Sequence, residues 1–383
     1  MKLLVTLTTA AALALFNASS AAETTDSHAP AKPASGEFAR RLLPAPRGGG
    51  FRMDDYWTWD GSGIRGPDGR YHMFASRWSK QVSFSPNWVA CSEVVRAVSA
   101  TPEGPYQYVE TVIKRRGPQY WDGMMSHNPS IRKCGDKYLL FYTGTTYRFP
   151  YPDASNAVIS KEQSVEARIN QQVGMLVADS LEGPWQRSDA PAIGRNPLPG
   201  KWDSSMATNP SPCIMPDGSI FVIYKGIARQ GDFMRLGIAR AAAWNKPFER
   251  MLDRPLFEFD EMKASVEDPF FWHDGKQFNM LMKDMTGQLC GEKHAGLFAS
   301  SADALHWDFR RNEVAYSRKV RWGDGTVTEQ GNLERPSLLF NDHGVATHFF
   351  AATADVPFRN RKELKSTWVM VIPLARAANE KSP

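Results

Sequence analysis

Beyond its first residues the sequence has no long apolar run, no block of basic residues and no closely spaced pair of cysteines. After residue 16 no segment approaches the roughly 18 consecutive apolar residues that a membrane-spanning helix needs. Lysine and arginine are scattered, and the formal net charge is only +5 over 383 residues. Proteins that track nucleic acid concentrate positive charge in patches. The sequence therefore argues against nucleic acid as a partner and against a membrane-spanning domain.

Cysteine is scarce and offers no framework for a metal or redox site. The four cysteines, Cys91, Cys134, Cys213 and Cys290, follow no CxxC or other metal-ligand spacing. Each lies in or beside an apolar, strand-like run, so disulfides and buried free thiols are both open. No metal site is predicted from the sequence.

The first 40 residues differ from the rest of the chain. Lys2 is followed by an apolar run over residues 3–16 and by small residues ending in SSAA. This order is typical of a secretory signal peptide, with cleavage after Ala21 or Ala22. We predict a signal peptide at 1–22, a disordered, Pro-containing lead-in at 23–40 and one folded domain at 41–383. The mature protein is expected in the periplasm or outside the cell, with no membrane association after cleavage.

A repeat dominates the folded part. WDGMMSHNPS at residues 121–130 is nearly rewritten as WDSSMATNPS at residues 202–211. Five aromatic and β-branched hairpins, bounded by DG, GD or NP turns, align on one polar column. The column contains Asp60, Asn128, Asn209, Asp268 and Arg335, spaced 68, 81, 59 and 67 residues apart. Units of this length with four strand-sized segments predict an all-β fold, a five-bladed β-propeller. The alternatives are a pair of β-sandwiches, which would not repeat this unit five times, and a solenoid.

The repeat also predicts where polar side chains meet. The innermost strands of a propeller converge on its axis, so polar residues at their starts should share one funnel. They are Asp60, Asp122, His127, Asn128, Asp203, Asn209, Glu267, Asp268, Glu334 and Arg335. Clustered carboxylates shift one another's pKa and can act as acid and base. Asp and Asn before Pro or Gly are also common at turns. Asp122 and Asp203 could equally cap backbone amides beside their tryptophans.

Three short motifs carry a resemblance to a known group. They are D-x-S-x-I-R from Asp60, N-P-S in blades two and three, and E-x-P-F from Glu267. This pattern resembles the five-bladed propeller glycoside hydrolases, with family 43 nearest and families 32, 62, 68 and 117 related. The resemblance spans about Asp54 to Pro373. It implies Asp60 as general base and Glu267 as general acid, with the pKa of Glu267 raised by burial and by Asp268.

The chain departs from the family pattern at one position. The third family carboxylate is expected where Asn209 stands, so either Asp203 supplies that charge or the site works differently. Family 117 uses a histidine in place of the usual acid, which makes His127 and His294 candidates for that role. A lone histidine is more often structural.

The resemblance implies a single displacement with inversion, in which the two carboxyl groups stand roughly 6.5–9.5 Å apart. Arg335, and with it Lys225 or Lys283, would bind sugar hydroxyls, a carboxylate or a sulfate. The other expected substrate ligands are Asp122, His127, Asn128, Asn209, Asp268, His294 and Glu334. Lys225 and Lys283 end equivalent strands, so a structural role is also open. No cofactor is expected to be required. A central calcium ion is common among the relatives, but the sequence shows no ligand set for one.

These observations predict an exported, exo-acting glycoside hydrolase that removes a terminal sugar from a plant or algal oligosaccharide or polysaccharide. An insertion at 145–172, with a short helix around 162–171, is expected either to wall the funnel or to form a surface or oligomer contact. One alternative is a phosphorylase, with phosphate bound by Arg65, Lys225, Lys283, His294 and Arg335. Another is a glycan-binding propeller without catalysis, because amides occupy positions 128 and 209. A propeller that docks proteins is the third.

Overall fold

The computed structural model describes residues 34–376 and shows a five-bladed β-propeller, as the repeat predicts. The predicted signal peptide and the first part of the lead-in lie outside the described residues. Within 34–376 no helix has both the length and the apolar character to span a bilayer.

The strands run in chain order through the five blades. Before blade one lie β1 (Ala34–Ser35) and α1 (Glu37–Arg41). Blade one contains β2 (Tyr56–Arg65), β3 (Tyr71–Ser79), β4 (Glu93–Ser99) and β5 (Gln107–Ile113), with α2 (Trp88–Cys91) between β3 and β4. Blade two contains β6 (Met125–Cys134), β7 (Lys137–Thr145), β8 (Gln172–Ala178) and β9 (Gln186–Arg187). Its insertion carries a 3-10 turn (Ala154–Asn156) and α3 (Lys161–Ile169).

Blades three and four repeat the four-stranded pattern. Blade three contains β10 (Met206–Ile214), β11 (Ile220–Ile227), β12 (Arg235–Ala241) and β13 (Glu249–Arg250). Blade four contains β14 (Val266–His273), β15 (Phe278–Asp284), β16 (Gly296–Ser301) and β17 (Asp308–Phe309). Next come β18 (Glu313–Val314), which pairs in parallel with β1, and the hairpin of β19 (Lys319–Arg321) and β20 (Val327–Glu329). Blade five contains β21 (Leu333–Phe340), β22 (Ala346–Ala354) and β23 (Thr367–Pro373), with a 3-10 turn at Phe358–Glu363.

Apolar side chains fill the spaces between neighbouring blades. Leu139 and Phe141 of β7 pack against Val222 and Tyr224 of β11, and all four are buried. Alternate residues on a strand face opposite sides of its sheet. The middle strands have a blade on each side, so both of their faces are apolar. This packing fixes the blades around the axis and holds the inner strands in place.

Blade five differs from the prediction of four strands per unit, because its fourth position is taken by the N-terminal segment. Phe51 and Val369 exchange two backbone hydrogen bonds, of 2.9 and 3.0 Å. Gly50 lies beside them at φ +79°, where an added Cβ would collide with the Val369 carbonyl. The predicted disordered lead-in is wrong from residue 34 onward, since β1 and α1 form there and Phe38 is buried against Phe349. The N-terminal segment therefore closes the ring.

The polar column is a repeated distortion of the inner strands. Each inner strand has a β-bulge at its column residue. The five column residues have φ values of 54°, 55°, 54°, 58° and 57°, in the left-handed region. Bulges re-aim side chains, and left-handed backbone at non-glycine residues costs roughly 1–3 kcal/mol each and clusters at functional sites. Proline follows four of the column residues and glycine follows Asp60. The alignment made from sequence is thus a conformational repeat.

The insertion in blade two folds back onto the propeller. Its helix α3 begins with a capping box between Ser160 and Gln163, close to the predicted helix at 162–171. Ala167 is fully buried, and the Tyr147 hydroxyl donates a 2.8 Å hydrogen bond to the Ala90 carbonyl. The insertion is therefore an ordered segment that packs against the propeller.

All four cysteines are buried free thiols, which resolves the alternative left open by the sequence. Burial raises the pKa of the Cys91 thiol to about 12 and that of Cys213 to about 11. Thiols with such high pKa values are poor nucleophiles at neutral pH, so they belong to the core.

Candidate active site

The repeated Trp-Asp motifs are structural and lie outside the funnel. Asp203 is fully buried, and its Oδ2 accepts hydrogen bonds of 2.7 Å from both the Tyr224 hydroxyl and Arg250 Nε. Asp122 is bound in the same way by Tyr142, Arg187 and Arg116. A buried carboxylate needs such partners to offset its desolvation. The prediction of Asp203 as a catalytic carboxylate and of Asp122 as a substrate ligand is therefore corrected.

The five column residues do converge, and we call them the central ring. Arg335 connects two of its carboxylates: Nε lies 3.0 Å from Asp60 Oδ1, and Nη1 lies 3.0 Å from Asp268 Oδ1. Asn209 Nδ2 donates a 2.9 Å hydrogen bond to the same Asp268 oxygen, and Asn128 Nδ2 donates to Asn209 Oδ1. The ring therefore runs as a chain of polar contacts from blade to blade. Asp60 and Arg335 also line the axial cavity below it.

Asp60 is the most enclosed carboxylate of the ring, with 2 % of its side chain exposed. Its Oδ2 accepts hydrogen bonds from Ser76 Oγ at 2.9 Å and contacts His127 Nε2 at 2.8 Å. Its Oδ1 faces Arg335 but receives no well-aligned hydrogen bond from residues 34–376. Burial alone would raise the pKa of Asp60, but the charges of His127 and Arg335 outweigh it and hold that pKa below its usual value. Asp60 is thus ionised, and its Oδ1 is buried beside Arg335 without an aligned hydrogen bond from residues 34–376.

His127 is held from both sides of its ring. Its Nδ1 contacts Ser92 Oγ at 2.7 Å while Nε2 faces Asp60. The imidazole stacks on Trp88 with ring centroids 4.8 Å apart. A histidine fixed in this way orients its carboxylate partner, as in other His–Asp pairs. The structure places His127 in the funnel, as predicted, in contact with the candidate base.

A second cluster lies beside the ring and centres on Lys283. Its Nζ is 2.7 Å from Glu267, 3.1 Å from Asp268 and 2.6 Å from Glu334. Lys225 contacts the other oxygen of Glu267 at 2.8 Å. Burial would lower the pKa of Lys283, but the three carboxylates raise it well above its usual value. These groups join three neighbouring blades through β11, β14, β15 and β21.

The expectation of a raised pKa for Glu267 is wrong. Burial does act to raise it, but the charges of Lys225 and Lys283 outweigh burial, and the pKa of Glu267 lies well below its usual value. Its negative neighbour Asp268 does not prevail, because Asp268 is itself paired with Lys283 and Arg335. Glu267 is ionised in the structure as it stands.

His294 also lies at this site, in the loop between β15 and β16. It is half-buried and has a left-handed φ of 65°. Burial, followed by the charges of Lys283 and Lys293, lowers the pKa of His294 to about 4. The imidazole is therefore neutral at neutral pH. A non-glycine residue held in left-handed backbone next to a charged cluster is the kind of strain that marks functional loops.

The structure also identifies the carboxylate next to Asn209. That neighbour is Asp268 of blade four, whose Oδ1 accepts from both Asn209 and Arg335. Sequence reasoning placed Asp268 beside Glu267 and among the substrate ligands, and did not pair it with Asn209. It missed Ser76, Ser92, Trp88 and Arg168 altogether. Ser76 was accessible from the repeat, because it occupies the strand position of Lys225 and Lys283. The other three come from loops and helices outside the repeat.

The residues present do not fit a metal centre. Among residues 34–376 no three His, Cys, Asp or Glu side chains form a group that could hold a metal ion. The carboxylates at the axis instead pair with Arg335 and Lys283. Calcium prefers six to eight oxygen ligands, and positively charged partners occupy the available ones here.

Solved structures share this fold. A family 117 glycoside hydrolase of the marine bacterium Zobellia galactanivorans superposes with a TM-score of 0.60 at 16 % identity, over 90 % of this chain and 91 % of the other. A GH43_1 enzyme from Xanthomonas citri gives 0.54 at 14 %, over 90 % and 94 %. Fructan 1-exohydrolase IIa from Cichorium intybus gives 0.54 at 15 %, over 84 % of this chain and 56 % of the other. The chain thus has the fold of the five-bladed propeller glycoside hydrolases.

Comparisons of the sequence itself find no further similarity. No protein-family model matches it, and no curated protein matches it. At such low identity the shared feature is the fold, and function depends on the site.

Proposed function

We propose that the chain is an exported glycoside hydrolase that removes a terminal sugar from a plant or algal oligosaccharide or polysaccharide with inversion. The observation that carries the proposal is the meeting of four carboxylates from three blades at the funnel: Asp60, Glu267, Asp268 and Glu334. Glycoside hydrolysis needs two carboxyl groups with different roles. The shared fold with hydrolases of families 117 and 43 supports the same reaction class, and the N-terminal sequence supports export.

Asp60 is the proposed general base. Its lowered pKa keeps it ionised, and its Oδ1 lacks a well-aligned donor among residues 34–376. That oxygen can accept a proton from a water molecule that attacks the anomeric carbon. His127 and Ser76 hold Oδ2 and so fix the direction of Oδ1. Asp60 acts once per turnover and returns its proton to solvent.

Glu267 is the proposed general acid. Because it is ionised in the structure, it must take up a proton when the substrate binds. The acid has to carry a proton to give to the leaving oxygen. Lys225 and Lys283 favour the ionised form. A sugar whose hydroxyls hydrogen-bond to Lys225 or Lys283 would weaken the ion pairs of Glu267. Glu267 would then take up a proton more easily. With 13 % of its side chain exposed, Glu267 is more accessible than Asp60. His294 is the second candidate for the acid.

The insertion supports exo action. Helix α3 and its aromatic neighbours close one side of the funnel, with Tyr147 and Phe149 stacked at a centroid distance of 3.9 Å. A one-sided wall of this kind admits the end of a chain more easily than its middle. Release of single sugars is therefore the expected product pattern.

The proposal is tested by product release from a panel of plant and algal oligosaccharides, with NMR reading the anomer first formed. One terminal sugar released with inverted configuration is expected. Glu267→Gln should lower kcat/KM by about 10²- to 10⁴-fold if Glu267 is the acid. Turnover that requires inorganic phosphate would indicate the phosphorylase instead. Glycan binding without any turnover would contradict the hydrolase and favour the binding protein.

Lys225→Met is expected to move the basic limb of the pH profile of kcat/KM to higher pH, by roughly one unit. Lys225 is one of the two charges that lower the pKa of Glu267. Its loss raises that pKa, so the acid stays protonated to higher pH. The measurement is kcat/KM against pH for the parent and the variant.

The matched control for this prediction is Lys293→Met. Lys293 is exposed and helps to lower the pKa of His294, not that of Glu267. If the limb moves with Lys293→Met and stays in place with Lys225→Met, the acid is His294. That result would remove Glu267 from the proposed role.

A further inference from the structure

Arg168 is a cation close to the proposed base, and its guanidinium packs on an aromatic ring. It stands near the end of α3, and its guanidinium lies over the Trp88 ring at 4.8 Å from the centroid. Trp88 in turn stacks on His127, which contacts Asp60. Arg168 is thus two side chains away from the proposed base.

Arg168 also interacts electrostatically with a second carboxylate of the site. It is carried by the insertion of blade two, and the negative charge of Glu267, in blade four, acts to raise its pKa, although burial lowers it more. The position of Arg168 at the site follows from the stack of Trp88 on His127, which contacts Asp60.

The carboxylates of the site do not account for this arginine. Glu267 pairs with Lys225 and Lys283, Glu334 with Lys283, and Asp60 and Asp268 with Arg335. Arg168 forms no side-chain hydrogen bond and no ion pair with any residue that the structure describes. Burial lowers its pKa, which reflects a guanidinium partly removed from water. A half-buried cation without an acceptor is costly unless a ligand supplies one.

We propose that Arg168 binds a negatively charged substituent, a carboxylate or a sulfate ester, on the sugar that occupies the funnel. The inference deepens the proposed function and rests on its funnel being the sugar site. A planar guanidinium can donate two parallel hydrogen bonds to such a group. The aromatic face of Trp88 fixes the guanidinium before the ligand arrives. The substrate class is therefore an acidic sugar at the chain end.

The test compares binding of matched sugars by calorimetry. The probes are galactose, galacturonate and galactose 6-sulfate, together with the glucose counterparts, since each set differs only in the charged group. We expect the parent to bind a charged member about 10- to 100-fold more tightly than its neutral counterpart. A preference for the uronate indicates a carboxylate, and a preference for the sulfated sugar indicates a sulfate ester. Equal binding of charged and neutral sugars would overturn the inference.

Two variants separate the role of Arg168 from its packing. Arg168→Met keeps the apolar stem over Trp88 and should abolish the preference, whereas Arg168→Lys keeps charge without the fork and should retain part of it. The control Lys161→Met removes a charge from an exposed position on the same helix and should retain it fully. A preference that survives Arg168→Met would also overturn the inference.

The outcomes for binding and for catalysis are distinguishable. A preference that depends on Arg168, without turnover of any oligosaccharide, would support this inference and contradict the hydrolase. Turnover of neutral and acidic chain ends at equal kcat/KM would support the hydrolase and contradict this inference.

Discussion

Asp60→Asn is expected to lower kcat/KM by about 10²- to 10⁴-fold, the range that general acid–base groups contribute. Asparagine has nearly the same shape, so the contact with Ser76 can persist. What it loses is the carboxylate oxygen Oδ1, which can accept a proton and receives no aligned hydrogen bond from residues 34–376. The measurement is kcat/KM on the substrate found in the panel, with the melting temperature measured alongside.

The control for Asp60→Asn is Asp55→Asn. Asp55 is an exposed carboxylate just before the same strand, and its backbone carbonyl accepts from Lys80. That variant should keep full activity, because it changes the local charge equally without touching the ring. If Asp60→Asn keeps more than about a tenth of the parent activity while folded, Asp60 is not the base. Glu334 would then be the carboxylate to examine next, since 18 % of its side chain is exposed.

The sequence predicts the ring well because the ring is periodic. Each inner strand repeats a polar residue followed by proline or glycine, and that signal locates the bulge and its left-handed residue. Asp60, Asn209 and Arg335 meet in the structure although they are far apart in sequence. A local turn signal that recurs five times thus predicts which residues, distant in sequence, meet at the axis.

The repeat does not predict the direction in which a side chain of a connecting loop points. Asp203 lies only six residues before Asn209, but its loop turns it toward Tyr224 and Arg250 instead of the axis. Spacing to the column therefore does not tell which way a loop side chain points. The helix that carries Arg168 has no counterpart in the other blades, so no alignment of repeats could place it over Trp88.

The charge state of Glu267 was mispredicted for a different reason. Its acidic neighbour Asp268 is visible in the sequence, whereas its lysine partners come from β11 and β15. Lys283 is the cross-strand partner of Glu267 in the β14–β15 hairpin, and Lys225 arrives from the preceding blade. A pKa depends on all charges within a few ångströms. Sequence adjacency shows only some of them.

Lys283→Met is expected to lower the free energy of unfolding by about 3–5 kcal/mol at neutral pH, the usual cost of removing one partner from a buried ion pair. Three carboxylates lie within 3.1 Å of the Lys283 ammonium. Among the residues that the structure describes, Glu334 then keeps only the 3.0 Å hydrogen bond from the Asn332 amide. Denaturant unfolding of parent and variant at about pH 7 measures the effect.

The size of this loss should depend on pH in a defined direction. The lowered pKa of Glu267 contributes stability that is present above its unfolded value of 4.5 and is lost as the pH falls through its folded pKa. The raised pKa of Lys283 contributes stability that is complete below its unfolded value of 10.5. In the variant the three carboxylates lose the positive charge of Lys283 and protonate more easily, which relieves their repulsion. The difference between parent and variant should therefore be large near neutral pH and shrink toward about pH 4.

Lys225→Met separates the cluster from a general effect of losing a lysine. Within residues 34–376 Lys225 pairs with Glu267 alone, and Glu267 keeps its contact with Lys283 when Lys225 is removed. Its stability loss should therefore be the smaller of the two. Equal losses for both variants, or a loss for Lys283→Met that does not change with pH, would contradict a cluster organised by Lys283. Because that one ammonium joins β14, β15 and β21, the charges that equip the funnel for chemistry would also hold two neighbouring blades together.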